Sequence, residues 1–553
     1  MRAANGREAA LEAMRRQRRA GAYSADAVDA VIREAALEPR EAAFCTRIVR
    51  ETLQNLYFID HYLDLWCKTP TKRLEPAVLD ILRISAAQLL FMDRVPPSAA
   101  VNEGVKLCGK AGCSRASGLV NSVLRRVSEN RAALPEIPGA GTAEYLSIRY
   151  SHALWQVREL IELRGYEGAQ AVLHCNNAEP PLNLQANTLR TSAEELAERL
   201  RSAGFEPRAG RMEGELVLDG AGRADLLPGY AEGLFYIQDE AARRAVIASG
   251  AEPGMNVLDA CAAPGGKSFA AAIQMRGEGR IVSCDVQGKK LRRIEEGASR
   301  LGIGCIETRQ MDARRPAEEL LGAMDVVIAD APCSGLGVIR KKPEIRFKPE
   351  SELSALPGIQ LDILRGLAAC VKPGGTLLYS TCTLRKYENE DVVAAFLTEN
   401  NGFKALEMRT LWPDIDDTDG FFLCRLVRST ENRCSRRSLP PPWQRWAGFR
   451  ANGSSPWLGL RGVGSFDEMT DSQRRCEVAS WMSAFFLHPP EECSESRSPP
   501  RIGTIKNTSG ALRTATPLRP SSCAITTATP SASRRRSAAV RAAPSAPRPL
   551  AAS

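Results

Sequence analysis

The stretch Val257–Ser268, VLDACAAPGGKS, constrains this chain more than any other. An apolar run ends on an aspartate, crosses an Ala-Pro-Gly-Gly turn and enters a helix-forming segment. This is the pattern of a strand, a short loop and a helix start, and its small residues let a ligand approach the backbone N–H groups of the helix N-terminus. The loop is neither the Gly-x-Gly-x-x-Gly dinucleotide fingerprint nor the Gly-x-x-x-x-Gly-Lys phosphate loop. From Met255 onward, strand candidates Asn256–Ala260, Arg280–Asp285, Ile303–Gln310, Asp325–Asp330, Thr376–Ser380 and Phe421–Val427 alternate with helical stretches. Such alternation predicts a parallel, doubly wound α/β sheet of Rossmann-like type, with ligands beyond the carboxyl ends of its strands. Chemistry collects at that edge: Asp259 with the loop to Lys267, then Asp285, Asp312, Asp330 and Ser380-Thr381-Cys382.

The 553 residues exceed one ordinary core, and the pattern divides them into four segments. Residues 1–135 read as all-helical, with three- and four-residue apolar steps over Arg40–Trp66 and Leu74–Met92. Pro96-Pro97 ends the second of these, and Ser98 is a candidate cap for the next helix. Residues 143–245 mix amphipathic helices, over Tyr145–Arg164 and Ser192–Gly204, with short alternating pieces such as ELVLDG (215–220) and GLFYIQD (233–239). This predicts a small α+β unit for docking substrate, with Phe235 and Tyr236 either core residues or base-stacking ones. Residues 246–428 form the α/β domain. Residues 429–553 hold Pro, Ser, Ala and Arg without period, a composition that cannot build a core and reads as a disordered basic arm or as out-of-frame translation.

The formal net charge of +9 suggests nucleic acid, but its location removes that argument. The tail from Ser429 carries 18 basic and 8 acidic residues, leaving 56 and 57 in residues 1–428, so the body is neutral and any RNA contact must be a local patch. No membrane span or secretory signal is expected. The 16 cysteines include no Cys-x-x-Cys pair and there are only 4 histidines, so no metal site is expected and the thiols read as reduced, cytoplasmic ones. A monomer is expected.

Asp285, ending the second strand, suits hydrogen bonds from both ribose hydroxyls, and Asp312 in QMDAR suits an adenine amino group. Each alone is as well explained as a helix cap. With the Val257–Ser268 loop they describe a nucleoside cofactor without a triphosphate site, which S-adenosyl-L-methionine fits better than ATP or NAD. Cys333, in DAPCSG, and Cys382, in STCTL, each follow a strand of the same sheet and reach one pocket. Carbon 5 of cytosine is a poor nucleophile toward a methyl sulfonium, and a thiolate adding at C6 turns the ring into an enamine-like one. Asp330, three residues before Cys333, is placed to hydrogen-bond N3 or the exocyclic amine. The thiolate needs a local positive field, to which Lys267 contributes.

DACAAPGGK, DAPCSG, GVIRKKPEIRFK and STCTL…ENE resemble the motifs of the RNA 5-methylcytosine methyltransferases, the Sun/NOL/NOP family. MDRVPPSAAVNEGVKLC and GLVNSVLRRV resemble the NusB antitermination bundle as it occurs fused to an rRNA methyltransferase. The resemblance covers about residues 1–428. It implies a NusB-like RNA-binding domain ahead of a class I S-adenosylmethionine methyltransferase. It implies Cys382 as nucleophile and Cys333 as the cysteine assisting release. Cofactor contacts are implied from Cys261, Ala262, Ala263, Pro264, Gly265, Gly266, Lys267, Asp285, Asp312 and Asp330. The implied substrate is a cytosine of 16S rRNA, nucleotide 967, free or in early small-subunit assembly intermediates. A tRNA or another rRNA site is the alternative substrate, and a non-catalytic RNA-binding assembly factor the alternative class. A DNA cytosine methyltransferase fits less well, since that class lacks the Thr-Cys motif.

Reaching the base requires its extrusion from any stack. The run Arg340, Lys341, Lys342, Arg346 and Lys348, just past the Cys333 motif, reads as a phosphate-contacting rim, or else as a solvated charged loop. Removal of residues 429–553 is expected to leave folding and methyl transfer intact, as thermal unfolding and methylation assays of the truncated chain would show.

Overall fold

The computed structural model describes residues 3–20, 24–220 and 222–430, all within one compact unit. Most of the tail read as a disordered or aberrant segment, from residue 431 on, lies outside the described residues. Seven helices come first: α1 (Gly6–Ala20), α2 (Ser24–Ala35), α3 (Pro39–Gln54), α4 (Leu56–Trp66), α5 (Pro76–Phe91), α6 (Pro97–Lys110) and α7 (Ser117–Asn130). Helix α5 is the hub, because apolar or small residues cover most of its circumference and it buries Val78, Ile81, Leu82, Ile84, Ala86, Ala87 and Leu89. Gly104 lets α6 pack against it, since a Cβ there would lie 2.6 Å from Ser85 Oγ. Ser98 is not the cap expected: Pro96 and Pro97 open α6 without a side-chain hydrogen bond, their fixed φ being sufficient.

Helices α8 (Ala143–Arg149) and α9 (Leu154–Asn176) lead into a small antiparallel sheet in the order β2-β3-β1-β4: β1 (Leu182–Ala186), β2 (Arg208–Ala209), β3 (Glu215–Leu218) and β4 (Phe235–Ile237). Helix α10 (Ala193–Ser202), opened by a Ser192/Glu195 capping box, packs on it. Phe235 and Tyr236 are both buried, so neither is a stacking platform.

The third part is helix α11 (Glu240–Ser249) and a seven-stranded sheet in the order β10-β11-β9-β8-β5-β6-β7. Its elements are β5 (Asn256–Asp259), α12 (Gly266–Gln274), β6 (Arg280–Asp285), α13 (Gly288–Leu301), β7 (Ile306–Gln310), β8 (Met324–Asp330), α14 (Leu356–Ala368), β9 (Val371–Thr381), α15 (Glu390–Glu399), β10 (Phe403–Leu411), α16 (Pro413–Asp416) and β11 (Phe421–Arg428). Strands β5 to β9 are parallel, with β5, β6 and β8 buried on both faces and β7 a more exposed edge, but the sheet is mixed rather than all-parallel, because β11 runs antiparallel to β9 and β10 antiparallel to β11. Strand β10 has no forerunner in the sequence pattern. It is an outer edge strand with Leu406 and Met408 exposed, and its register shifts between Ala405 and Glu407.

Two segments expected as single helices are each two. Arg40–Trp66 breaks at Asn55, and Tyr145–Arg164 breaks over Tyr150–Ala153, where Ser151 takes φ +58°. The second helix of that pair is itself broken at Gly165, whose φ of +70° and ψ of 175° are non-helical, and a further helical stretch runs on to Asn176. Both breaks meet one side chain. Arg346, fully buried in the loop between β8 and α14, donates from Nη1 to Gln54 O at 2.5 Å, to Ser151 O at 3.0 Å and to Asn177 Oδ1 at 3.1 Å. Its Nε donates to Pro343 O at 3.1 Å, and its own carbonyl accepts from Gln156 Nε2 at 3.3 Å. Burial pulls the Arg346 pKa down to about 9, which still leaves the guanidinium charged at neutral pH. Around it Phe347 packs on Tyr57, with ring centroids 5.6 Å apart, and Ser24 Oγ donates to Glu344 at 2.7 Å.

Replacing Arg346 with Ala strands these carbonyls in a dry joint and is expected to lower unfolding free energy by about 3 kcal/mol. Arg346→Lys is expected to recover less than half of it, since the shorter side chain stops short of the Nη1 position and has no donor for Pro343 O. Urea denaturation of the three proteins measures both.

Candidate active site

Strands β8 and β9 are parallel neighbours whose register sets Asp330 opposite Ser380. The chain leaves both at one edge, so Cys333, just past β8, and Cys382, the first residue after β9, meet with their Sγ atoms 3.2 Å apart. Both are free thiols, partly accessible. Lys267, from the first turn of α12, reaches over the Phe421 ring at 5.1 Å and pairs with Asp330 Oδ2 at 2.7 Å. Ser380 Oγ donates to Asp330 Oδ1 at 2.9 Å. Two strand ends and one helix start are therefore joined by one chain of polar contacts.

The sulfur pair is asymmetric. The hydrogen bond from Cys333 pulls Cys382 below the ordinary thiol range against burial and Asp330, and Lys267 and Lys342 add to the lowering. Cys333 is pushed well above that range by the same bond, by burial and by the negative charges around it, Glu388 and Asp330 among them. The two shifts run in opposite directions, so negative charge is favoured on the Cys382 sulfur over that of Cys333.

The loop after β5 is built from the inside. Asp259 is fully buried, accepts from Ser268 Oγ at 2.7 Å, and has its carboxyl pushed up to about 7 by burial. Ala262 N donates to Cys284 O and Gly265 N to Ala262 O, both at 2.7 Å, which fixes the turn through Ala263 and Pro264, whose peptide bond is cis. Gly265, at φ +112°, opens α12, and a Cβ there would lie 2.6 Å from the Phe269 ring. Gly266 leaves the first turn of α12 bare. Cys261 packs into the core with burial pushing its thiol up, which makes it a wall and not a nucleophile. At the end of β6, Asp285 is buried and its Oδ1 accepts from Gln287 N at 2.8 Å. Oδ1 of Asp259 and Oε1 of Gln238, the residue next to Gly266, are buried and have no hydrogen-bond partner. A carboxylate at a strand end, a bare glycine turn and unpartnered polar atoms beside it fit an adenosyl ligand. Asp312 sits on the same edge, but its carboxylate is chelated by Arg314 Nε and Nη2 at 2.7–3.1 Å, so an adenine contact would compete with that pair.

The structure divides the basic run. Arg346 is inside the inter-domain joint and Arg340 is buried beside Asp419 at 3.8 Å, so these two are not part of a phosphate-contacting rim. Lys341 is exposed and sits between Asp239 and Asp419 at 2.6 and 2.7 Å. Half-buried Lys348 donates from Nζ to Ser334 O at 2.8 Å. Lys342 is exposed and its charge acts on Cys382.

Sequence reasoning assigned nothing to the residues that fix the two cysteine loops. Fully buried Glu388 accepts through Oε2 from Ser334 N at 2.8 Å and from Gln360 Nε2 at 3.0 Å, and its carbonyl accepts from Tyr379 Oη at 2.6 Å. Asn389 accepts from Thr381 Oγ1 at 2.6 Å and donates to Thr383 O at 3.0 Å, bracketing Cys382. The only signal was the YENE run after the Thr-Cys motif. Among the described residues no group of three His, Cys, Asp or Glu could hold a metal, and no helix is long and apolar enough to cross a membrane.

Comparison with known proteins agrees with this geometry. Residues 247–427 match the family 16S rRNA methyltransferase RsmB/F, residues 4–129 the NusB family, and residues 152–223 the ferredoxin-like domain of RsmF/B-like methyltransferases. A Bacillus subtilis (strain 168) protein, named as a "probable ribosomal RNA small subunit methyltransferase B", is 33% identical over 440 residues, covering 76% of this chain and 98% of its own. The chain belongs to the family of ribosomal RNA small subunit methyltransferase B. A Pseudomonas syringae pv. tomato relative of that family is 32% identical over 380 residues, covering 65% of this chain and 83% of its own. The crystal structure of PH0851 superposes with a TM-score of 0.66 at 25% identity, over 76% of this chain and 98% of that one. The helical bundle is thus the NusB domain, the small antiparallel sheet belongs to the ferredoxin-like part, and the mixed sheet is the Rossmann-like methyltransferase domain.

Alkylation of Cys382 by iodoacetamide is expected to titrate with a midpoint below that of an ordinary thiol. In Cys333→Ala the donor is gone and the midpoint is expected to rise, with a smaller rise in Lys342→Ala. Peptide mapping of the alkylated sites across pH checks the order.

Proposed function

We propose that this chain transfers a methyl group from S-adenosyl-L-methionine to C5 of a cytosine in 16S rRNA, through a covalent bond between Cys382 and C6 of the base. The observation that carries the reading is the pair of cysteine sulfurs 3.2 Å apart, set beside the Lys267–Asp330 ion pair and the loop after β5.

The cofactor, when bound, supplies an electrophilic methyl group. The residues from Cys261 to Lys267, with Asp285 and Asp312, would hold it; Asp312 would do so by releasing one oxygen from Arg314. Everything else is asked of the chain's own side chains. The Cys382 thiolate adds to C6, which raises electron density at C5. Asp330, held by Lys267 and Ser380, hydrogen-bonds the N3 edge and steadies the proton gained there. Lys267 and Lys342 stabilise the thiolate before attack and again as it is expelled. After methylation the C5 proton leaves to water, the C6–S bond breaks with its electron pair returning to sulfur, and the S–H of Cys333 donates to that sulfur.

The relatives named above carry small-subunit rRNA in their names, and the NusB domain at the front of this chain is a second reason to choose 16S rRNA, free or in early assembly intermediates, over tRNA.

Labelled S-adenosylmethionine with 16S rRNA tests the reading. Wild type is expected to label the RNA, Cys382→Ala to lose at least about three orders of magnitude of rate, and Cys333→Ala to accumulate a protein–RNA adduct stable to denaturing gels. Full activity in Cys382→Ala overturns the covalent route. Labelling of tRNA but not of 16S rRNA overturns the substrate, and no labelling of any RNA by wild type favours the assembly-factor class.

A further inference from the structure

Glu388 is the most deeply buried carboxylate near the sulfur pair, and it takes no part in the steps above. Its environment is unusual for a structural acid. It has no short ion pair, since the nearest cation, Nη1 of Arg385, is 3.8 Å from Oε1, an oxygen that has no hydrogen-bond partner. The other oxygen, Oε2, gathers two donors, both leading to Cys333. Ser334 N, at 2.8 Å, belongs to the residue after that cysteine. Gln360 Nε2, at 3.0 Å, also donates at 3.0 Å to the carbonyl of Pro332, the residue before it. Glu388 thereby holds both peptide flanks of Cys333. Through its own carbonyl and Tyr379, and through Asn389 next to it, the same residue is anchored to the strand and loop that carry Cys382. The Ser334 and Thr383 hydroxyls, 2.7 Å apart, close the connection between the two loops.

We propose that Glu388 is a positioning residue for the release step. By holding both peptide flanks of Cys333 it sets that sulfur at hydrogen-bond distance from Cys382. In release the C6–S bond breaks, its electron pair goes to the Cys382 sulfur, the C5–H pair becomes the ring double bond, and the C5 proton passes to water. The S–H of Cys333 meets the charge returning to sulfur. A donor displaced by an ångström, or deprotonated, no longer does so. Glu388 touches neither substrate nor cofactor, so its loss acts on release and leaves attack and cofactor binding in place. The inference rests on the covalent reading above.

Glu388→Gln keeps the shape of the side chain and one acceptor oxygen for the two donors, but it removes the negative charge and so weakens both hydrogen bonds. The expected result is a kcat lower by about tenfold or more, with KM for S-adenosylmethionine within twofold of wild type. The protein–RNA adduct should accumulate on denaturing gels as in Cys333→Ala, and the double variant Glu388→Gln/Cys333→Ala should be no slower than Cys333→Ala alone. A fall in kcat without adduct, or a parallel loss of cofactor affinity, shows a merely structural role and overturns the proposal, as does unchanged turnover. Gln360→Met, which removes one donor and leaves the carboxylate, is expected to give the same adduct at lower yield. Should Glu388→Gln not fold, Gln360→Met decides by that readout. Cys333→Ala is the control that separates the two readings. If it gives no adduct, the covalent route itself falls; if it gives adduct and the Glu388 and Gln360 variants do not, only the role of Glu388 falls.

Discussion

One guanidinium holds the molecule together. Arg346 comes from the catalytic domain, yet its acceptors are the last carbonyl of a bundle helix, the carbonyl of a turn between two further helices, and an asparagine that closes the second of these. A charge this deep is tolerable because Nη1 gathers three oxygens at or beside helix ends, where carbonyls lack an intrahelical partner, and Nε meets a fourth, although Nη2 is buried without a partner. The arrangement explains why two segments that look continuous in sequence are broken. Each break turns a carbonyl out of its helix and toward the same cation. The loop bearing Arg346 also carries Lys341 and Lys348, so the joint between domains and the floor of the catalytic pocket are one piece of chain.

What could be read from residues alone was whatever follows a local rule. The loop after Asp259, the strand-end carboxylates and the two cysteines all sit where a parallel strand pattern puts them, because successive parallel strands end at one edge. Pairing partners were not legible. The basic run 340–348 has the composition of a phosphate rim, and only the fold shows that Arg340 and Arg346 are buried and that Asp239 and Asp419, 102 and 78 residues from Lys341, pair with that lysine. Glu388 is in the same position: nothing in its neighbours announces burial. Strand β10 was invisible for a different reason. An edge strand with exposed apolar residues carries no alternation to detect.

The sulfur pair shows how neighbours distinguish two identical side chains. Their mutual hydrogen bond, Lys267 and Lys342 favour charge on Cys382, whereas burial, Glu388 and Asp330 disfavour it on Cys333. The lysine that acts on Cys382 is also the one that pairs with Asp330, so the local field and that carboxylate are tied to one side chain.

The exposed outer strand has a consequence for assembly with other molecules. Strand β10 ends the sheet with an open row of backbone donors and acceptors, Leu406 and Met408 standing outward from it, and Lys404 and Arg409 interspersed. Such a margin invites a second strand to add, and natural sheets discourage this with charge and with irregular register. Both devices are present here, the shift between Ala405 and Glu407 among them. The methyltransferase domain therefore carries its own guard against sticking to copies of itself while the ribosomal substrate is being found.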